Sequence, residues 1–384
     1  MRPICRSETL VGRTVIVFGI ILLLSGGCEK IPTFQDLTQQ GTTAPTATAP
    51  PAAPMNQPAQ EPAALAVPVV PSLEDSQKII ADFKNKPTTH RIDQDLARIG
   101  NLTIGLEEFS DMDLTGSGVT DGGLQHLAKL PNLESLNLAA TKITNTGLLA
   151  ALSLPKLTKL NLNGCLISLP MVETLSKLER LEILSLESTK VGDNELPPLV
   201  NLSQLKELDL SYCPITDNAF KTLGSFRNLE ILRVDHTSIN GSGMQFMKRK
   251  KSEVGLRVLN ASVTRFGEQG LQFIKGVETL EELNIASAEI TDRAISLNLK
   301  GLSHLKRLNL SFNLGITNQG TQVLGTIKSL EELSLANCQH VGDQTLFFLK
   351  GNKELRVLKV GGCGGVTQKG IQSLQKFLPN CEFR

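Results

Sequence analysis

Tryptophan is absent from the 384-residue chain and tyrosine occurs once. Single-stranded nucleic acid is commonly held on platforms of stacked aromatic side chains, and this sequence has almost no material for one. Formal net charge is only +1, so the basic footprint of a nucleic-acid binder is missing too, and no nucleic-acid partner is expected. Seven cysteines are present, but no two form a C-x-x-C pair and no histidine shares their face, which argues against a metal site. The five histidines (His90, His126, His236, His304 and His340) are scattered, and none has an Asp and a Ser or Cys partner at matching positions. Nucleophilic catalysis has no constellation to work with. Nor is there a glycine loop to cradle phosphate; GGCGG at 361–365 reads as a strand-to-loop turn. No catalytic, cofactor-binding or metal-binding residue is expected, and the chain reads as a non-enzyme.

Long apolar runs are nearly absent as well. The clear one is Thr14 to Leu24 (TVIVFGIILLL), preceded by Arg2, Arg6 and Arg13 and followed by the small residues Ser25, Gly26 and Gly27. That order is the anatomy of a secretory signal peptide over 1–27. A transmembrane helix needs about 20 apolar residues, more than this run supplies; an uncleaved anchor is the rival. Two events fit at the bond before Cys28: ordinary cleavage after small residues, or lipoprotein processing. The stretch LLLSGGCEK resembles a bacterial lipoprotein signal, in which the cysteine is acylated and becomes the N-terminus. It departs from that pattern at Ser25, where a branched aliphatic residue is preferred. An exposed free thiol is a liability, which favours lipidation of Cys28 and anchoring to a bacterial cell-envelope membrane. A periplasmic or secreted protein is the alternative.

Residues 28–72 are rich in proline, alanine and threonine, a composition that cannot bury a core and is expected to be a disordered spacer. Fully extended, its ~40 residues would reach on the order of 120 Å. Ser72-Leu-Glu-Asp then opens a capped helix running to about Lys84, with Ile79, Ile80 and Phe83 on one face and Pro87 beyond its end. A second short helix is expected around Asp93 to Ile99, so 73–105 reads as a helical N-terminal cap.

From Phe109 one pattern recurs: L-x-x-L-x-L-x-x-(T/C/N)-x-I-(T/G)-(D/N)-x-x-L-x-x-L. Leu133-Leu136-Leu138 returns as Leu157-Leu160-Leu162 and continues in steps of 24 or 25 residues to Leu355-Leu358-Val360; one step, Leu229 to Leu256, is 27. Phe109-Met112-Leu114 is a degenerate first copy and Cys381 opens a truncated last one, which makes eleven copies and a stub. The L-x-L alternation has the strand period, with both leucines to one side and the middle residue to the other. The second half of each copy supplies an N-cap and helical spacing. A single copy cannot bury its apolar face, whereas stacked copies share a core.

The array resembles the leucine-rich repeat family, in the cysteine-containing subclass found in many ubiquitin-ligase adaptors and in bacterial proteins. The resemblance implies an α/β solenoid over 106–384, with a parallel sheet on the concave side and helices on the convex side. No F-box-like helical module precedes the array, so the adaptor function is the lesser alternative.

Three residues after the second leucine lies one recurring slot, filled by Ser117, Thr141, Cys165, Thr189, Cys213, Thr237, Thr264, Ala288, Asn313, Cys338 and Cys363. Small or hydrogen-bonding groups suit an inward-facing position, so four cysteines are structural. Cys165 and Cys213 stand two coils apart, too far for a bridge. For Cys338, Cys363 and Cys381 the sequence leaves pairing open. Lys248-Arg249-Lys250-Lys251 fall in the lengthened copy, either as a solvated helix end or as a contact for acidic polymer or lipid headgroups.

The concave face is then lined by Asp113, Asn137, Asn161, Ser185, Asp209, Arg233, Asn260, Asn284, Asn309, Ser334 and Lys359, a polar and mostly uncharged ladder. It is richest where Asp209 and Tyr212 abut Arg233, Asp235 and His236, extending toward Phe312. Tyrosine and arginine are residue types that dominate binding hot spots, so these five residues form the candidate partner-binding patch. The expected function is recognition of a protein partner by a monomer. An envelope scaffold without a discrete ligand site is the alternative.

Overall fold

The computed structural model describes residues 71–249 and 254–384. The signal segment, Cys28 and nearly all of the spacer lie outside the described residues, as do Lys250 and Lys251.

Helix α1 spans Leu73–Asn85, and the Ser72 hydroxyl accepts from the Asp75 amide at its start. Lys86, the residue before Pro87, is extended. Proline disfavours the helical region for its predecessor, and the helix stops there. Helix α2 follows at Asp93–Gly100. Ile80 and Phe83 of α1 are buried with Leu96 and Ile99 of α2 in one core that continues through Phe109 and Met112 into the repeats. Arg91 ties the two helices to the first coil. Its guanidinium lies 4.4 Å over the Phe83 ring and donates to the carbonyl oxygens of Phe83 and Asp113.

The repeats then form one parallel sheet, curved and open, whose strands are ordered as in the sequence. They are β1 (Asp111–Asp113), β2 (Ser135–Asn137), β3 (Lys159–Asn161), β4 (Ile183–Ser185), β5 (Glu207–Asp209) and β6 (Ile231–Arg233). β7 (Val258–Asn260), β8 (Glu282–Asn284), β9 (Arg307–Asn309), β10 (Glu332–Ser334), β11 (Val357–Lys359) and β12 (Glu382–Phe383) complete it. Register keeps equivalent positions side by side, for example Leu208 opposite Leu232 and Asp209 opposite Arg233. Strands of three residues are viable because every coil lends hydrogen bonds to the next. The leucines are almost wholly buried, and burying one such side chain contributes about 1.5–3 kcal/mol.

The convex side is less regular than the helical spacing implies. α-Helices such as Asn145–Ala151 and Asp292–Asn298 alternate with 3-10 turns at Gln125–Lys129, Pro197–Asn201, Ser242–Met247, Gln322–Thr326 and Leu349–Gly351. Pro197 and Pro198 have no N–H to give an α-helical ladder, which accounts for the turn in that coil.

The recurring inward slot explains itself in hydrogen bonds. Cys165, Cys213, Cys338 and Cys363 donate their thiols to Leu138, Leu186, Leu310 and Leu335 carbonyls of the preceding coil, at 3.1–3.3 Å. Threonine uses its shorter reach on its own coil, as Thr141 does with Leu138 O. Asn313 does both jobs, donating to Ile285 and Leu310 carbonyls while accepting from the Ala288 and Ile290 amides. All five described cysteines are buried free thiols, Cys338, Cys363 and Cys381 among them.

Candidate concave recognition face

Each coil turns out of its strand through a left-handed residue four positions after the buried central residue of the triplet. The eleven such residues include Gly116, Gly164 and Gly362, but also Tyr212 (φ 58°), His236 (φ 55°), Val263 (φ 53°) and Phe312 (φ 59°). The solenoid imposes this conformation: at ten of the eleven positions the amide donates to the next coil, as from Tyr212 to Asp235 O at 3.0 Å and from His236 to Ser262 O at 3.1 Å. Left-handed backbone costs bulky residues on the order of 1 kcal/mol or more. Side chains there project outward in register, and Tyr212, Val263 and Phe312 are about half exposed. Tyr212 and His236 consequently stack, with ring centroids 4.0 Å apart and planes 11° from parallel.

The five residues singled out from the sequence are thus brought together, though not all by direct contact. Asp209 and Arg233 are cross-strand neighbours, but the Arg233 guanidinium pairs with Glu207, not with Asp209 or Asp235. Asp209 and Asp235 converge instead on the Ser211 hydroxyl, at 2.6 and 2.7 Å. Asn260 donates to the same Asp235 oxygen at 2.6 Å.

Sequence reasoning missed an entire row of this face. In each triplet the residue before the buried leucine also points outward, so the burial pattern in β2 through β6 is intermediate or exposed, buried, intermediate. That row carries Glu207, Glu282, Arg307 and Glu332, and the ladder expected to be mostly uncharged is in fact crossed by ion pairs. Glu207 pairs with Arg233, Glu282 with Arg307, and Glu332 with Lys359 at 2.6 Å. The period-two pattern itself was the signal, because residues flanking a buried strand position share a face. Glu187, two residues after the outward Ser185, was missed for a different reason, as it lies in the turn. Burial, and then the proximity of Asp209 and Asp235, push its carboxyl above the usual range.

The basic run of the lengthened coil is partly accounted for. Lys248 Nζ lies 5.7 Å over the Phe273 ring, and Arg249 donates to Phe226 O at 2.8 Å. Among the described residues no group of His, Cys, Asp or Glu side chains could hold a metal ion, and no helix is long and apolar enough to cross a membrane.

The sequence profile of the family described as Leucine Rich repeat matches residues 129–150, 202–223 and 301–325. No curated protein sequence matches the chain. An internalin from Listeria monocytogenes strain 4b F2365 is similar in structure, with a TM-score of 0.52 and 21% identity over 82% of this chain and 95% of that one. The yeast structure of a Rad7 and Elc1 complex contains a chain with a TM-score of 0.55 and 20% identity, covering 80% of this chain and 81% of that one. At these identities the likeness speaks to the fold. Three stretches of the array match the leucine-rich repeat, and the fold that the coils build is a leucine-rich-repeat solenoid.

Proposed function

We propose that this protein is a non-enzymatic recognition protein that binds another protein through the concave face around β5, β6 and β7. We further propose that it is exported and held at a bacterial envelope membrane by a lipid on Cys28. The observation that carries the recognition reading is the Tyr212–His236 stack. Two ring-bearing side chains on adjacent coils occupy left-handed positions that six of the other nine coils fill with glycine, alanine or serine. Strained positions of that kind are a pointer to function. Tyr212 is also the only tyrosine of the chain, and it stands half exposed beside an arginine. The export reading rests on the charged, apolar and small segments of 1–27 and on the cysteine that follows them.

Two measurements test these readings. Labelled palmitate is expected in the wild type and absent from Cys28→Ala; equal membrane retention of both forms without label removes the lipid anchor. Tyr212→Ala combined with Arg233→Ala is expected to lose partner capture from envelope extract at an unchanged melting temperature. Undiminished capture leaves the concave patch without a role and favours a scaffold that has no discrete ligand site.

A further inference from the structure

The charge on the concave face is not evenly compensated. Glu207, Glu282 and Glu332 each meet a cationic side chain from the next coil. Glu187, Asp209 and Asp235 meet none: among the described residues they form no ion pair, and the nearest strand cation, Arg233, is committed to Glu207. The three carboxylates sit on consecutive coils. Ser211 has one hydroxyl proton to offer and two carboxylates within hydrogen-bond distance of it. Asn163 donates to Glu187 at 3.0 Å and Asn260 to Asp235 at 2.6 Å, but neutral donors leave the charge in place. This arrangement opposes folding, since like charges are crowded together and Glu187 is partly withdrawn from water.

Beside the carboxylates, in the turns that leave the same strands, stand the Tyr212–His236 stack and the exposed Val263 of the following coil. An aromatic face attracts a cation through its quadrupole, and lysine or arginine stems lie well on apolar surface while their heads seek charge. Acidic groups, an aromatic stack and an apolar flank on one open sheet face are complementary to the two halves of a long cationic side chain.

We propose that the occupant of this face is a cationic polypeptide segment, whose lysine or arginine side chains lie along Tyr212 and Val263 and place their charged heads among Glu187, Asp209 and Asp235. This rests on the concave-face reading above and narrows it to one class of partner. Association is expected to be steered by charge and to weaken as salt rises.

The test titrates the full chain with fluorescein-labelled peptides in which lysines are spaced by Gly-Ser, against counterparts carrying glutamine or glutamate instead. The lysine peptide is expected to bind, and the others are not. The triple variant Glu187→Gln, Asp209→Asn, Asp235→Asn should weaken lysine-peptide binding about tenfold or more, as expected for three partly exposed charge contacts. Tyr212→Ala should weaken it several-fold, and its surface position makes it a folding-neutral check. Asp111→Asn with Asp113→Asn, an equal change of kind on β1, should leave binding nearly unchanged. Equal binding of lysine and glutamine peptides overturns the proposal. So does a triple variant that binds like the wild type, or equal loss in the β1 variant. A calcium ion bound by the wild type and lost by the triple variant, with no lysine-peptide binding, overturns it in favour of a metal. Partner capture that needs Tyr212 and Arg233 yet is untouched by the triple variant also overturns it, while leaving the concave-face reading intact.

Discussion

Asp292 and Thr317 belong to successive coils, and the carboxylate of the first accepts both the amide (2.7 Å) and the hydroxyl (2.6 Å) of the second. The same Thr317 hydroxyl accepts from the Gln319 amide at the start of its own helix. One aspartate therefore fixes the residue that caps the next coil's helix. The relationship recurs at Asp93–Thr120, Asp193–Thr216 and Asp343–Thr367. Asp292→Ala leaves two part-buried donors without an acceptor, and is expected to cost about 1–3 kcal/mol. Because solenoid stability is built from neighbour interfaces, hydrogen exchange should quicken first in the coils on either side of Asp292. Uniform change across the array would contradict the neighbour-to-neighbour picture.

Gly122 and Gly123 sit next to each other in the short helix Asp121–Leu124 and give opposite predictions. A Cβ on Gly123 would stand 2.9 Å from the Asp93 carboxyl carbon and 3.1 Å from its Cα. A Cβ on Gly122 meets nothing nearer than 3.7 Å. Alanine in a helix is normally better than glycine by about 1 kcal/mol, whereas overpacking costs about 1–3 kcal/mol. Gly122→Ala should therefore leave the melting temperature unchanged or raise it, and Gly123→Ala should lower it. Matching shifts for the two variants would show that propensity, not the Asp93 contact, governs the site.

These two features mark where sequence reading stops. The coil count, the parallel order and the inward slot were all legible, because L-x-L and its single slot are periodic and each period maps to one physical face. The threonine that opens helices such as Asn145–Ala151 was legible as a cap. Its second partner, an aspartate 23 to 27 residues earlier, was not, since pairing between coils depends on how the turns stack. The same limit applies at the patch. Asp209, Tyr212, Arg233, Asp235 and His236 could be placed side by side by counting, but the ring stack follows from the left-handed turn. The choice of Glu207 by Arg233 follows from a second outward row that the L-x-L shorthand conceals.

The buried thiols give a chemical prediction. Burial pushes Cys213 and Cys363 upward and takes Cys338 and Cys381 to about 11. The thiolate is the reactive form, so at pH 8 these four should alkylate slowly in the folded chain and rapidly in denaturant. The sign follows from the raised folded values: stability is fully present below the ordinary thiol value of 9.0 and declines as pH climbs toward 11. Iodoacetamide labelling read by peptide mass should show at least tenfold protection at each site, as expected for core groups exposed only by opening. Fast labelling of Cys338 in native conditions would place its coil outside the protected core.

Glu187 offers the test that joins stability to binding. Its folded carboxyl holds its proton more tightly than the unfolded chain does, through burial first and then through Asp209 and Asp235. The native state is thus favoured at pH below the ordinary value of 4.5, and that advantage is lost as pH rises through the higher folded value. Glu187→Gln has no such loss and keeps an oxygen for the Asn163 amide that donates to it. The variant should melt slightly higher than the wild type at pH 7, by on the order of 1 °C for a surface change in a chain this long, and the two curves should converge below about pH 4. The same variant should bind a lysine-bearing peptide less well. Stability gained and affinity lost in one substitution would mark the carboxylate as held for its charge. A variant that melts lower at neutral pH would instead make Glu187 a structural group whose bond to Asn163 outweighs the crowding.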